Sequence, residues 1–137
     1  EKALENYIQG RLGLVVDSTG RDYESIARPC SLLKQMGYDC YMVFVNTSLE
    51  VAMVRNTERE RTVPPEIVKN NWNTVQQNIG KFQRLFGQQK MIIIDNNKAD
   101  EKIITNVYKQ VAKFVKKPVD NHIAKQWIRK ETDKRKR

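Results

Sequence analysis

The chain has 137 residues, 39% hydrophobic and 30% charged, with a net charge of +9; this is the size of one domain and the composition of a globular protein, and it excludes collagen-like, low-complexity and multidomain classes. No run approaches the roughly 18 consecutive apolar residues of a membrane span, and the opening residues lack a basic flank followed by an apolar stretch, so a soluble cytoplasmic protein without a secretion signal is expected. Between residues 113 and 137 ten Lys and Arg stand against three acids, which puts +7 of the charge there and leaves +2 for the rest.

In chain order, Ala3, Leu4, Tyr7 and Ile8 repeat at helical spacing with no N-cap ahead of them and Glu1 in place of a methionine, the pattern expected where a sequence opens inside a domain. Gly10 and Gly13 bracket the end of that helix. Residues 12–16 form a continuous apolar run closed by Asp17, which reads as a buried parallel strand. Residues 22–36 place Ile26, Ala27, Leu32, Leu33 and Met36 on a helical pattern, kinked at Pro29 and stopped at Gly37, and read as a crossover helix. Residues 40–45 form a second apolar strand, after which Thr47 and Glu50 have capping-box spacing ahead of a helix through Leu49, Ala52 and Met53. A third helix starts at Pro64 or Pro65, aligns Val68, Trp72, Val75, Ile79, Phe82 and Phe86 on one face, and ends at Gly87.

Residues 91–95 read as a third buried strand, and residues 100–116 as an amphipathic helix on Ile104, Val107, Val111 and Phe114, stopped by Pro118. The basic segment beyond is expected to dock as a helix through Ile123, Trp127 and Ile128, with its last four or five residues mobile. The alternation predicts an α/β domain over residues 1–117, a three-layer parallel sheet with helices on both faces, followed by a basic helical extension over 118–137.

Ligands of open α/β sheets bind outside the carboxyl ends of the strands, which directs attention to Asp17-Ser18-Thr19-Gly20-Arg21, Asn46-Thr47-Ser48 and Asp95-Asn96-Asn97. In the first, an acid, a hydroxyl and a guanidinium spaced two apart can share a crevice, with Asp17 accepting a proton or holding a magnesium water and Arg21 clamping an anion. The same residues also suit an Asx-type turn or helix cap, with Gly20 easing the backbone. A second constellation is Arg55, Arg59 and Arg61. Arg55 and Arg59 are four apart and are expected to share a helix face, against a repulsion of roughly a few tenths of a kcal/mol, which points to an anionic ligand. Arginines of this kind stabilise charge on a transferring phosphoryl group, and the Pro64-Pro65 break would let the segment move as a lid. The alternative is a solvated helix end in which Glu58 and Glu60 neutralise the arginines.

Absences narrow the chemistry. No G-x-x-x-x-G-K-[ST] loop occurs, because Gly80-Lys81 has Val75 in place of the first glycine and Phe82 in place of the hydroxyl. A single histidine, His122, rules out a Ser-His-Asp arrangement, and Cys30 and Cys40, lacking CxxC spacing or a second histidine, make no zinc site and suit a reducing compartment. No metal site is expected from the residues themselves.

Asp17-x-Thr19-x-Arg21 after an apolar strand, followed by Arg55-Asn56-x-x-Arg59-x-Arg61-x-Val63-Pro64 before a long helix, resembles the zeta-toxin and polynucleotide-kinase-like P-loop kinases, with phage-encoded members nearest. The resemblance covers residues 12–96. It implies ATP-dependent transfer of the terminal phosphoryl group, with magnesium, to a hydroxyl of a nucleotide, a nucleic-acid end or a sugar nucleotide. By the same resemblance Asp17 orients or deprotonates the acceptor hydroxyl, Thr19 and Arg21 hold the acceptor, and Arg55, Arg59 and Arg61 serve the phosphates from the lid. Such kinases carry a strand, a phosphate loop and its helix ahead of the segment seen here. The sequence is therefore expected to be the C-terminal part of one, inactive alone; residues 12–16 and 40–45 must pair directly or leave a slot whose unpaired backbone groups would each cost about 1–3 kcal/mol if buried, so direct pairing, or filling by another chain, is the expected outcome. The competing expectation is a non-catalytic module that keeps the sheet and holds nucleic acid or another anion through the three arginines and residues 125–137.

Overall fold

The computed structural model describes residues 2–98 and 100–136; Glu1, at the opening of the first helical pattern, Ala99, and Arg137, the last cation of the tail, lie outside the described residues. The elements are α1 (Lys2–Gln9), α2 (Tyr23–Gln35), β1 (Met42–Asn46), α3 (Leu49–Thr57), α4 (Pro65–Phe86), β2 (Met91–Asp95), α5 (Glu101–Lys116) and α6 (His122–Arg135). β1 and β2 pair in parallel, in register from Met42 opposite Met91 to Asn46 opposite Asp95. The architecture is α/β, as expected, but its sheet has two strands among the described residues, not the three that a full three-layer sheet would begin from.

The missing member is residues 12–16, which form no strand. An apolar run becomes a buried strand only where a neighbour completes its ladder. Here Val15 is fully exposed and Val16 is 75% exposed. Leu14, Val16 and Asp17 of the segment and Met42, Val43, Phe44 and Val45 of β1 are among the residues that line a cavity of about 660 Å³. The expected direct pairing of residues 12–16 with residues 40–45 is not observed; with Val15 and Val16 this exposed, water can satisfy the backbone groups that a buried slot would leave unpaired.

The core lies on one face of the sheet, where Cys30 of α2, Phe44 of β1, Phe82 and Phe86 of α4 and Met91 of β2 form a buried cluster. Phe82 has no exposed surface and its ring lies 5.5 Å from that of Tyr23 and 6.3 Å from that of Phe44; burying a phenylalanine this fully contributes about 1.5–3 kcal/mol. Strand alternation sends Phe44 and Asn46 toward α4, where Gln76 Nε2 donates to Asn46 Oδ1 at 2.7 Å. Tyr41 consequently points to the other face and stacks on Phe114 of α5 at 4.5 Å. Helices thus lie on both faces.

Local chemistry sets the helix bounds. Asp22 caps α2 by accepting from the backbone N–H groups of Glu24 and Ser25, and Pro65 begins α4 at a position where its missing N–H costs nothing. Asp100 caps α5 through the N–H of Lys102. The cap of α3 is Ser48, one residue later than the expected Thr47, with its Oγ accepting from Val51 N at 3.3 Å.

α6 is fastened at its N-terminus. The Asn121 amide donates to Lys34 O at 2.8 Å and Tyr38 O at 3.1 Å, while Asp39 accepts from Asp120 N at 2.7 Å and from Lys90 Nζ at 3.1 Å. Gly37, at φ +103°, lets the helix approach so closely that a Cβ there would lie 3.3 Å from Ala124 N. Ile123 sits against this turn, whereas Trp127 and Ile128 remain 41% exposed, and the helix runs to Arg135 through residues expected to trail off. Among the described residues no helix is long and apolar enough to cross a membrane.

Candidate functional site

The first constellation lies on the loop between α1 and α2. Gly20, buried and at φ +72°, turns the chain above Phe44, Phe82 and Val75 in a conformation that a residue with a Cβ resists. Buried Asn78 of α4 then holds the loop from below, donating to Gly20 O at 3.1 Å and Arg21 O at 2.8 Å. Ser18 Oγ accepts from Gly20 N at 3.4 Å, and Thr19 Oγ1 lies 3.5 Å from Arg21 N. Asp17, Ser18 and Thr19 are exposed side chains at the cavity wall. The loop therefore presents a carboxylate and two hydroxyls on a backbone fixed to the core.

Arg21 belongs to the same loop but does not line the cavity; its guanidinium donates to Asn71 Oδ1 of α4 at 3.3 Å. The adjoining Trp72 donates through Nε1 to Thr47 O at 2.8 Å, just past the carboxyl end of β1. Arg55 reaches this edge from α3, where its Nη2 donates to Asn96 O at 2.7 Å, just past the end of β2. Asn96 N donates to Asn46 O at 2.8 Å and Asn97 Oδ1 accepts from Ser48 N at 2.6 Å, so a polar network closes the carboxyl edge around Arg55.

Arg59 and Arg61 are placed differently from the sequence expectation. α3 ends at Thr57, so Arg55 and Arg59 do not share a helix face. The cause is Asn56, 7% exposed, whose side chain accepts from Val63 N at 3.0 Å and donates to Val63 O at 2.8 Å, folding the chain back into a loop closed at its base. Arg59 and Arg61 stand exposed on that loop and, like Arg55, are not among the cavity's lining residues.

Asn56 and Asn78, which hold the two loops, and Trp72, which was read only as core, were missed as site-building residues. The available signal was a polar residue on an apolar face: Asn78 lies one turn before Phe82 and three residues after Val75 on α4.

Comparison with known protein families matches residues 1–109 to the Zeta toxin family. The chain belongs to the zeta toxin family. No curated protein and no solved structure matches it. Membership carries kinase-like, nucleotide-directed function at the family level, together with the P-loop kinase type of α/β fold, here built on two strands. At the family level the kinases are ATP-dependent. The zeta-toxin chain described here offers no glycine-rich phosphate loop in its 137 residues, and among the described residues no three His, Cys, Asp or Glu side chains gather to hold a metal ion. Its described residues do not fit the triphosphate and magnesium side of such a site.

Proposed function

We propose that this chain supplies the acceptor-holding loop and the arginine lid of an ATP-dependent phosphotransferase acting on a hydroxyl of a nucleotide, a nucleic-acid end or a sugar nucleotide. The supporting observation is the placement of Asp17 and Thr19 at the wall of a 660 Å³ cavity, on a loop whose backbone Asn78 fastens to α4. Positioning and electrostatic stabilisation supply most of the catalysis in phosphoryl transfer, so a carboxylate on a fixed backbone is worth more than one on a mobile loop. In this reading Asp17 accepts the proton of the acceptor hydroxyl, Thr19 hydrogen-bonds the acceptor and Arg21 binds its anionic group. Arg55, held by Asn96 O, and Arg59 and Arg61 on the closed loop bring positive charge to the transferred group.

The test has two arms. Calorimetric titration of the chain with a nucleotide, a short oligonucleotide and a sugar nucleotide should find one acceptor class whose binding weakens in Arg21→Ala. A radiolabelled ATP assay should find no transfer by the chain alone, and transfer by the chain fused behind a strand, phosphate loop and helix from a family kinase, reduced about 10²- to 10⁴-fold by Asp17→Asn. A fusion that binds ATP but transfers nothing to any acceptor overturns the reading.

A second reading is favoured by α6. Lys125 pairs with Asp120 at 3.6 Å and Lys134 with Glu131 at 2.8 Å, which leaves Arg129, Lys130, Arg135 and Lys136 without an acidic partner among the described residues. Such a helix suits phosphate backbones. Oligonucleotide affinity should then fall steeply with salt and weaken on deletion of residues 130–137; affinity unchanged by the deletion counts against it.

A further inference from the structure

Two cysteines with different roles meet at the cavity wall. Cys30 lies on α2 and is 5% exposed, Cys40 lies in the link from α2 to β1, and both line the 660 Å³ cavity. Cys40 Sγ donates to Cys30 O at 3.7 Å, which sets its sulfur against the start of the Cys30 turn. Both are free thiols. Lys34 follows Cys30 by one helical turn, and its Nζ is fixed on Leu85 O at 2.8 Å.

We propose that Cys30 and Cys40 form a peroxide-reactive dithiol site, with Cys30 the attacking sulfur and Cys40 the resolving one, which closes to an intramolecular disulfide tying α2 to the entry of β1. The proposal is independent of the phosphotransfer reading, since neither sulfur takes part in it. The neighbouring Cys40 side chain lowers the Cys30 thiol to about 7, against its burial and with help from Lys34. Cys40 is pushed up by the neighbouring Cys30 side chain, by burial and by the Cys30 charge; Lys34 opposes the rise and Asp39 adds to it. At neutral pH the thiolate therefore resides on Cys30, and the thiolate is the nucleophile.

The chemistry balances with hydrogen peroxide as oxidant. The Cys30 thiolate attacks one peroxide oxygen, the O–O bond breaks, and the departing hydroxide takes up a proton as water, leaving a sulfenic acid. The Cys30 sulfur is then uncharged, so two of the three largest influences that held the proton on Cys40 disappear while Lys34 remains. Cys40 gives up its proton and attacks the Cys30 sulfur; the S–S bond forms, the S–O bond breaks, and the released hydroxide and that proton make a second water. The covalent loop spans residues 30–40, of which Leu33, Tyr38 and Asp39 also line the cavity.

The full chain is treated with stoichiometric hydrogen peroxide, quenched with an alkylating reagent, and its intact mass and non-reduced peptides are measured. The expected result is loss of two hydrogens in the monomer and a peptide linking Cys30 to Cys40, reversed by dithiothreitol. In Cys40→Ser, dimedone should instead label Cys30. Iodoacetamide labelling of the untreated chain should favour Cys30 over Cys40, with a pH midpoint near 7 and below the value of about 8.5 for an ordinary free cysteine. Retention of both thiols, formation of intermolecular dimers alone, or labelling that favours Cys40 overturns the proposal. The mass and labelling arms need no variant, so a misfolded Cys40→Ser chain would not protect it.

Discussion

Asparagine does at two positions what the acids and arginines cannot do for themselves. Asn78 is 4% exposed and satisfies the carbonyls of Gly20 and Arg21, and Asn56 satisfies both backbone groups of Val63. Among the described residues no buried side-chain polar atom lacks a partner, those of the two asparagines included. Replacing Asn78 by Ala leaves the two carbonyls without their donor and should cost about 1–3 kcal/mol of stability, read as a lowered urea midpoint. The same variant should raise amide exchange across residues 17–21 more than across α4, because the loop loses its floor while the helix keeps its own bonds. Uniform exchange in both segments would show that Asn78 serves the fold without serving the loop. The charged members of the site were legible because acids and arginines after strand ends are where ligand chemistry is sought. The asparagines were not, since an amide on an apolar helix face has no sequence signature that names its partner.

At the level of elements, α2, α4, β1, β2 and α5 follow from periodicity with small shifts at their ends, because each carries its apolar pattern and its stops within its own residues. Residues 12–16 do not, since a strand is defined by a partner outside it. The docking of α6 likewise depends on contacts remote in sequence. Asp39 illustrates this: burial alone would raise its pKa, but the backbone N–H of Asp120, the Lys90 ammonium and the backbone N–H of Asn121 outweigh burial and hold the carboxyl below the ordinary value of 3.8. A folded-state value below the unfolded one stabilises the fold fully above about pH 4 and is lost as pH falls through the folded value. Lys90 has the opposite sign: burial opposes its charge, the Asp39 carboxylate and then Asp120 raise it above 10.5, and its contribution is lost only as alkali passes that value. Between these limits the clamp is closed. Hydrogen exchange on α6 should show protection at pH 7 that weakens below about pH 4, and Asp39→Asn should weaken it at pH 7 while removing the acid dependence. An acid step that persists in Asp39→Asn would assign it to another carboxylate.

For the molecule as a whole, surface area decides how firmly the cavity wall and its loop are held. A compact monomer of 16.1 kDa exposes about 7,400 Å², whereas this chain exposes 10923 Å². The excess is about 3,500 Å² against that scaling, and the apolar side chains that stand open include Val15, Val16 and Val45 around the slot and Ile104, Tyr108 and Val115 along α5. The core cluster that anchors the sheet has five buried residues, so little of the hydrophobic driving force is spread beyond α2, α4 and the two strands. Because the unfolded chain exposes about 23,300 Å², folding removes roughly a fifth less surface than it would for a compact domain of this length. The urea m value scales with that area, so it should fall about a fifth below the value for compact proteins of 137 residues. An apolar dye should bind the native chain at the same time, at the slot and α5. A normal m value without dye binding would mean that residues 12–16 close onto β1 in solution. The cavity beside Asp17 and Thr19 would then be smaller than 660 Å³, and the acceptor reading would lose the space it depends on.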